Sequence, residues 1–294
     1  MQTHYHVPPP SHYPVTINLG LFILALGVAL KINAIASGIV PILAGIAVVL
    51  YGAFGWVGKI ICEDESGSYH PWEDRSFRIG MAYFILSELA FFGVFLLALM
   101  YVRIFALPEL SSMDPHFTLW PDFKGAWPSG GPKSQAFTPL GASGLPAVNA
   151  IFILASTVSL MWARRGLSTA NRGQMVAGLA IALVLGVTFL LQQAMEYRHA
   201  AELGVTLASG VYGTYFYMLT GVHGVHMLAG ILMLAVLLLR AFHGHFKPES
   251  PVGLDLVTWY WNFAVVVPGL LVFVYLGLRE RVWVNFMFFR ASGA

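Results

Sequence analysis

Charge is scarce in this sequence: Asp, Glu, Lys and Arg make up 10% of its 294 residues, against 57% apolar residues. With a mean hydropathy of +0.72, the composition excludes an ordinary water-soluble globular protein and indicates a polytopic membrane protein. The single cysteine, Cys62, excludes an intrachain disulfide and any thiolate-ligated cluster built from this chain alone. A formal net charge of +2 gives no basis for a nucleic-acid partner. The stretch MQTHYHVPPPSHYP lacks a basic segment followed by a short apolar core, so it does not read as a cleaved secretory signal. Internal repeats are lacking too.

Long apolar runs are what the chain does have. A bilayer core demands about 17–25 mostly apolar residues per helix. Seven segments meet the demand, approximately 14–33, 37–61, 78–106, 145–166, 173–199, 206–243 and 252–280. The runs are continuous rather than alternating with period two, which favours helices over barrel strands. The expectation is an all-α bundle, residues 1–294 forming one transmembrane domain, with the first two helices somewhat apart from the other five. The acidic CEDESGSYHPWEDRS segment and the Pro- and Gly-rich stretch of residues 107–144 read as loops. Lys and Arg concentrate in the loops after spans two, four and six (Lys59, Arg75, Arg78, Arg164, Arg165, Arg172, Arg240 and Lys247), which places the N-terminus inside and the C-terminus outside.

An ionisable side chain at membrane depth costs at least about 2.5–3.5 kcal/mol for Asp, Lys or Arg at a helix centre, so each one asks for a reason. Glu88, within YFILSELAFFGVFLL, has apolar neighbours on both sides and lies ten residues past Arg78. It is either an acid hydrogen-bonded between helices or a proton-handling group. Glu196 and His199 stand three apart near the end of the fifth span, and His223 and His226 three apart in the sixth, so each pair shares a helix face. A Glu-x-x-His facing a His-x-x-His would suit a di-metal site, but such sites need further carboxylates, and Glu88 is the one obvious candidate. Haem ligation by His223 or His226 stays open on the residues alone. The sixth span also carries Gly210, Gly213, Gly221, Gly224 and Gly230 with Thr214 and Thr220, a composition suited to close helix contact; on that reading its histidines are interfacial hydrogen-bonding groups. Trp56 and Arg240 fall near span ends, where both residue types favour the headgroup level.

Taken in order, RIGMAYFILSELAFF, WPSGG, LLQQAMEY, GVYGTYFYMLTGVHGVHMLAG and WYWNF resemble subunit III of the haem–copper cytochrome c oxidases. The resemblance implies seven transmembrane helices, with a V-shaped cleft between helices 1–2 and 3–7 that holds structural phospholipid. It implies an accessory subunit that carries no redox centre and no metal, and binds no cofactor of its own. Haem and copper would reside in subunits I and II, with subunit I the main contact, small accessory subunits as further neighbours and cytochrome c as electron donor to the complex. Support of proton uptake and a hydrophobic route for oxygen are also implied. By position, Glu88 matches the family's buried glutamate and Arg78 the arginine before it. Glu196 matches the Glu-Tyr of the fifth helix, and His223 and His226 the paired histidines of the sixth. Trp56 and Arg240 match lipid contacts. Trp259, Tyr260, Trp261 and Asn262 carry the seventh-helix motif, with Asn262, Val265 and Pro268 departing from a family histidine, aspartate and tryptophan; Arg164-Arg165 replaces a usual His-His pair, and RVWVNFMFFRASGA continues past the usual end. The expected location is a bacterial cytoplasmic membrane or the mitochondrial inner membrane. A quinol-oxidase or nitric-oxide-reductase relative, and an independent membrane metalloenzyme using Glu88, Glu196, His199, His223 and His226, are the competing readings.

Overall fold

A computed structural model describes residues 9–112, 120, 122–141, 144–266 and 269. Its described residues are helical in long runs: α1 (Tyr13–Ile32), α2 (Ile39–Glu65), α3 (Pro71–Tyr101), the short α4 (Leu107–Ser112), α5 (Leu145–Ser168), α6 (Arg172–Glu202), α7 (Val211–His243) and α8 (Val252–Tyr260). A π-helical turn, Val102–Ala106, joins α3 to α4, and another, Trp261–Val266, continues α8. Among the described residues six helical segments are long and apolar enough to cross a bilayer. The seventh expected span is described as far as Val266; its remainder, with Pro268, and the sequence that follows it lie outside the described residues apart from Gly269. The chain is an all-α, polytopic membrane protein.

The chain forms two compact units, Met1–Phe77 and Arg78–Ala294. In the first, α1 and α2 make a hairpin on glycines spaced by sevens, Gly20 and Gly27 on one strand of the hairpin, Gly38, Gly45 and Gly52 on the other. A Cβ added at Gly27 would lie 2.5 Å from the backbone nitrogen of Ile42, and one at Gly45 2.5 Å from that of Leu24. Backbone therefore packs on backbone, the arrangement small residues permit where lipid supplies no hydrophobic drive. The outward side chains, among them Phe22, Val40, Leu43 and Tyr51, are exposed and suited to lipid.

The acidic segment expected as a loop is mostly helix. The final turn of α2 runs through Glu63, Asp64 and Glu65, and α3 starts at Pro71, seven residues before the apolar run. Local chemistry explains the early start: Pro leads, Glu73 Oε2 accepts from the His70 N–H at 3.0 Å, and Glu73 and Asp74 sit in the first turn, where acids are favoured. Conversely α7 begins at Val211, not at 206. Gly210 is a cap with φ 89° rather than a helical residue, and Ser209 closes a turn by donating to Thr206 O at 2.7 Å.

In the second unit α5 and α6 pack closely. Ser159 Oγ donates to Gly178 O at 2.7 Å, and a Cβ at Gly178 would meet Ala163 N at 2.8 Å. The core lies among α5, α6, α7 and α8, around Leu160, Leu179, Ala182, Met227, Leu234 and Trp261. Trp261 is fully buried, lies where a Cβ at Gly186 or Gly230 would stand, and donates its indole N–H to Ser156 Oγ at 2.8 Å. The described part of the 107–144 connection docks on this bundle: Val211 N donates to Gly130 O at 3.0 Å, Tyr212 N to Ser129 O at 3.2 Å, and Phe137 stacks on Tyr212 with ring centres 5.2 Å apart.

Candidate functional site: polar groups inside the helical bundle

Glu88 and His226 meet. Their helices, α3 and α7, bring Glu88 Oε2 within 2.7 Å of His226 Nε2, with both side chains mostly buried. His226 Nδ1 lies 2.9 Å from the carbonyl of Val222, one turn back, and a carbonyl can only accept. Nδ1 therefore carries a proton. The Oε2–Nε2 line then holds a single proton, on the acid or on the imidazole, and the pair is neutral overall in either form. Phe92 sets its ring edge-on to His226 at 5.3 Å, and Tyr260 O–H donates to the His226 carbonyl at 3.0 Å, which ties α8 to the same place.

His223 faces elsewhere. It is 3% exposed, and its Nε2–H donates to Val265 O at 2.8 Å, bonding α7 to the π turn after α8. Its ring is edge-on to Phe189 of α6 at 5.5 Å. Glu196 lines a cavity that His223 also lines, together with Asn149, Gln193 and Thr220. His199, one turn beyond Glu196, is exposed and stands 3.8 Å from Glu202. Glu196 and His223 thus border one cavity while His199 and His226 have other neighbours, and among the described residues no three His, Cys, Asp or Glu side chains are grouped so as to hold a metal ion.

Arg78 has a partner the sequence reading passed over. Asp255, 2% exposed in the first turn of α8, accepts from Arg78 at 2.8 Å and from Arg164 Nε at 2.5 Å. The Arg78 guanidinium also lies 5.7 Å from the ring centre of Trp259. One carboxylate therefore links the start of the transmembrane run of α3, the last turns of α5 and the start of α8. An aspartate inside VGLDLVTWY was the available signal, because a carboxylate in so apolar a segment needs a cation. Of the remaining predicted residues, Trp56 is 41% exposed on α2, Arg240 stands with its guanidinium 5.0 Å from the ring centre of Phe246, and Asn262 Oδ1 is buried without a hydrogen-bond partner among the described residues.

The family model described as Cytochrome c oxidase subunit III matches residues 3–279. This chain belongs to that family. Curated relatives agree: cytochrome c oxidase subunit 3 of Oryctolagus cuniculus is 34% identical over 268 residues, covering 90% of this chain and 94% of the relative. The protein of the same description from Formosania lacustris is 35% identical with the same coverage, and that from Osphranter robustus 34%. The chain is an integral membrane protein and a subunit III of the haem–copper oxidase type.

Proposed function

We propose that this chain is the accessory, non-redox subunit III of a proton-pumping cytochrome c oxidase, packed mainly on subunit I, with subunit II and small subunits as further neighbours. The family match over residues 3–279 carries the reading. In the complex, haem and copper belong to the partner subunits, cytochrome c delivers electrons, and oxygen is reduced to water. Glu88 and His226 are the groups of this chain suited to proton handling, because their shared proton can shift along a 2.7 Å line without changing the net charge of the pair. Subunit III also offers the complex a hydrophobic route for oxygen and sites for structural phospholipid.

The lipid reading has support in the first unit. A cavity of about 270 Å³ there is lined by Trp56, Lys59, Glu63, Tyr69, Trp72 and Glu73, among others. Aromatic faces beside one cation and two carboxylates suit the upper part of a zwitterionic phospholipid, its phosphate toward Lys59 and its ammonium toward the acids. Arg240, in the last turn of α7, is the second lipid contact. The membrane is a bacterial cytoplasmic membrane, with the mitochondrial inner membrane as the other location, and the N-terminus is inside. Arg78 at the start of the apolar run of α3, Arg164 near the end of α5 and Arg240 in the last turn of α7 all fall on the side that this orientation makes the inner one.

The test is gentle purification through a tag on this chain, followed by an optical spectrum, metal analysis and identification of co-purifying proteins. Haem- and copper-bearing subunits should accompany it in constant proportion. A chain that purifies alone with stoichiometric iron, copper or manganese would overturn the accessory reading.

A further inference from the structure

The cavity beside Glu196 is chemically unlike its surroundings. It measures about 60 Å³ and lies among α5, α6, α7 and Gly269, lined by Asn149, Gln193, Glu196, Thr220 and His223 with Ile153, Phe189 and Phe216. Asn149 is 3% exposed, yet both its amide nitrogen and its amide oxygen lack a hydrogen-bond partner among the described residues. Among the described residues Gln193, 8% exposed, leaves its amide nitrogen unpaired, and Glu196, 7% exposed, borders the same space. Thr220 is already satisfied, accepting from Tyr197 O–H and donating to Phe216 O. His223 spends its Nε2–H on Val265 O.

Three unpaired amide atoms beside a carboxyl in one small space are too costly to leave dry. Each buried unpaired group forfeits about 1–3 kcal/mol. The character of the unpaired atoms selects the ligand. The amide NH2 groups of Asn149 and Gln193 oppose a metal cation, and the acid oxygens of Glu196 oppose an anion. A neutral molecule that both donates and accepts satisfies all of them, and the space suits one no larger than a few atoms. We propose that this cavity is a buried hydration site, in which a cluster of ordered waters bridges Asn149, Gln193 and Glu196 between α5 and α6. At a minimum of roughly 15 Å³ per water, or roughly 30 Å³ at liquid density, the space holds roughly two to four of them. The cluster replaces the direct hydrogen bonds that α5 and α6 do not make at this level, and it gives the Glu196 carboxyl a contact with exchangeable protons that the protein itself withholds.

The intact complex purified through this chain is the material for the test, and the outcome does not depend on which partners come with it. A density map that resolves ordered water should show peaks within hydrogen-bond distance of Asn149, Gln193 and Glu196. In parallel, infrared spectra after transfer to D2O should show the Glu196 carboxyl band, assigned by its loss in Glu196→Gln, shifting on exchange. Asn149→Leu should slow or abolish that exchange. An empty cavity, density for an acyl chain or a partner's side chain in it, or a Glu196 band that exchanges equally in Asn149→Leu overturns the proposal. If Asn149→Leu fails to assemble, the map and the exchange of the unaltered complex decide by themselves.

Discussion

Asp255→Ala removes the anion between two guanidiniums, and its cost can be worked from exposure. Breaking a fully buried ion pair by deleting one partner costs about 3–5 kcal/mol, because the other charge is left stranded. Here the carboxylate is 2% exposed, but Arg78 is 32% and Arg164 53% exposed, so both cations recover hydration when the acid is gone. Exposed pairs are worth only about 0–1 kcal/mol. The expected loss lies between these limits, about 2–3 kcal/mol, and includes the favourable placement of an acid in the first turn of α8. Asp255→Asn keeps an acceptor for one arginine and should cost less than alanine. Arg164→Ala should cost about 0.5–1 kcal/mol, since Arg78 still neutralises the carboxylate. Thermal denaturation of the purified complex, followed as release or aggregation of this chain, ranks the series; high salt should shrink the Arg164→Ala difference more than that of Asp255→Ala. If Asp255→Ala melts with the unaltered protein, or Arg164→Ala proves the more damaging, the carboxylate is not the hub that this geometry makes it.

Other expected outcomes follow from neighbouring features. Glu88→Gln should assemble normally, because an amide can still pair with His226 Nε2, whereas Glu88→Ala leaves the imidazole unpaired at a cost of about 1–3 kcal/mol; proton uptake and turnover unchanged in both variants would remove Glu88 from proton handling. Gly45→Leu should disrupt the α1–α2 hairpin, since its side chain would start 2.5 Å from Leu24 N, and protease sensitivity confined to the first unit would show it. Trp261→Phe removes the indole donor to Ser156 Oγ, which keeps its own bond to Ile153 O, and opens space beside Gly186 and Gly230, for a loss of about 1–3 kcal/mol by thermal denaturation. Burial first, then the hydrogen bond to Glu63 and the charges of Glu63, Asp64 and Glu73, push the Tyr69 phenol above its ordinary value. Its contribution to stability is therefore complete below about pH 10, the value for an unfolded tyrosine, and is lost as pH rises beyond it. Tyr69→Phe should flatten that alkaline decline; an unchanged slope would argue against the linkage.

The transmembrane helices were legible because apolar runs of bilayer length have few other readings. Their ends were less so, since hydropathy is blind to capping: Glu73 extends α3 outward through polar residues, while Gly210 delays α7 past an apolar start. Glu88 announced its need of a partner by its isolation, but which residue met it depended on the rotation of α7, and one helical turn separates His226, which faces Glu88, from His223, which faces Val265. Asp255 was overlooked because one acid does little to the mean of a long apolar window. The glycine sevens of α1 and α2 were visible as spacing, yet their meaning rests on both helices meeting along that row.

The positions of the polar groups limit how Glu88 could exchange protons. Ten residues of α3 separate it from Arg78, about 15 Å of helix at 1.5 Å per residue. The hydroxyl-bearing side chains of α3 in that interval are Tyr83 and Ser87. Tyr83 is 71% exposed on the outer face, and Ser87 donates to the carbonyl of Phe84. Tyr260 approaches from α8, but its O–H is committed to the backbone of His226 and does not reach the carboxyl–imidazole line. Helix α3 thus provides no hydrogen-bonded chain from the Arg78–Asp255–Arg164 cluster to the Glu88–His226 pair. Among the described residues of α3 and α8, none relays a proton to the pair, so water or a group from outside these two helices has to supply it. This is why separating assembly from turnover in Glu88→Gln carries more information than either measurement alone: a pair that only joins α3 to α7 needs the hydrogen bond, and a pair that passes protons needs the acid.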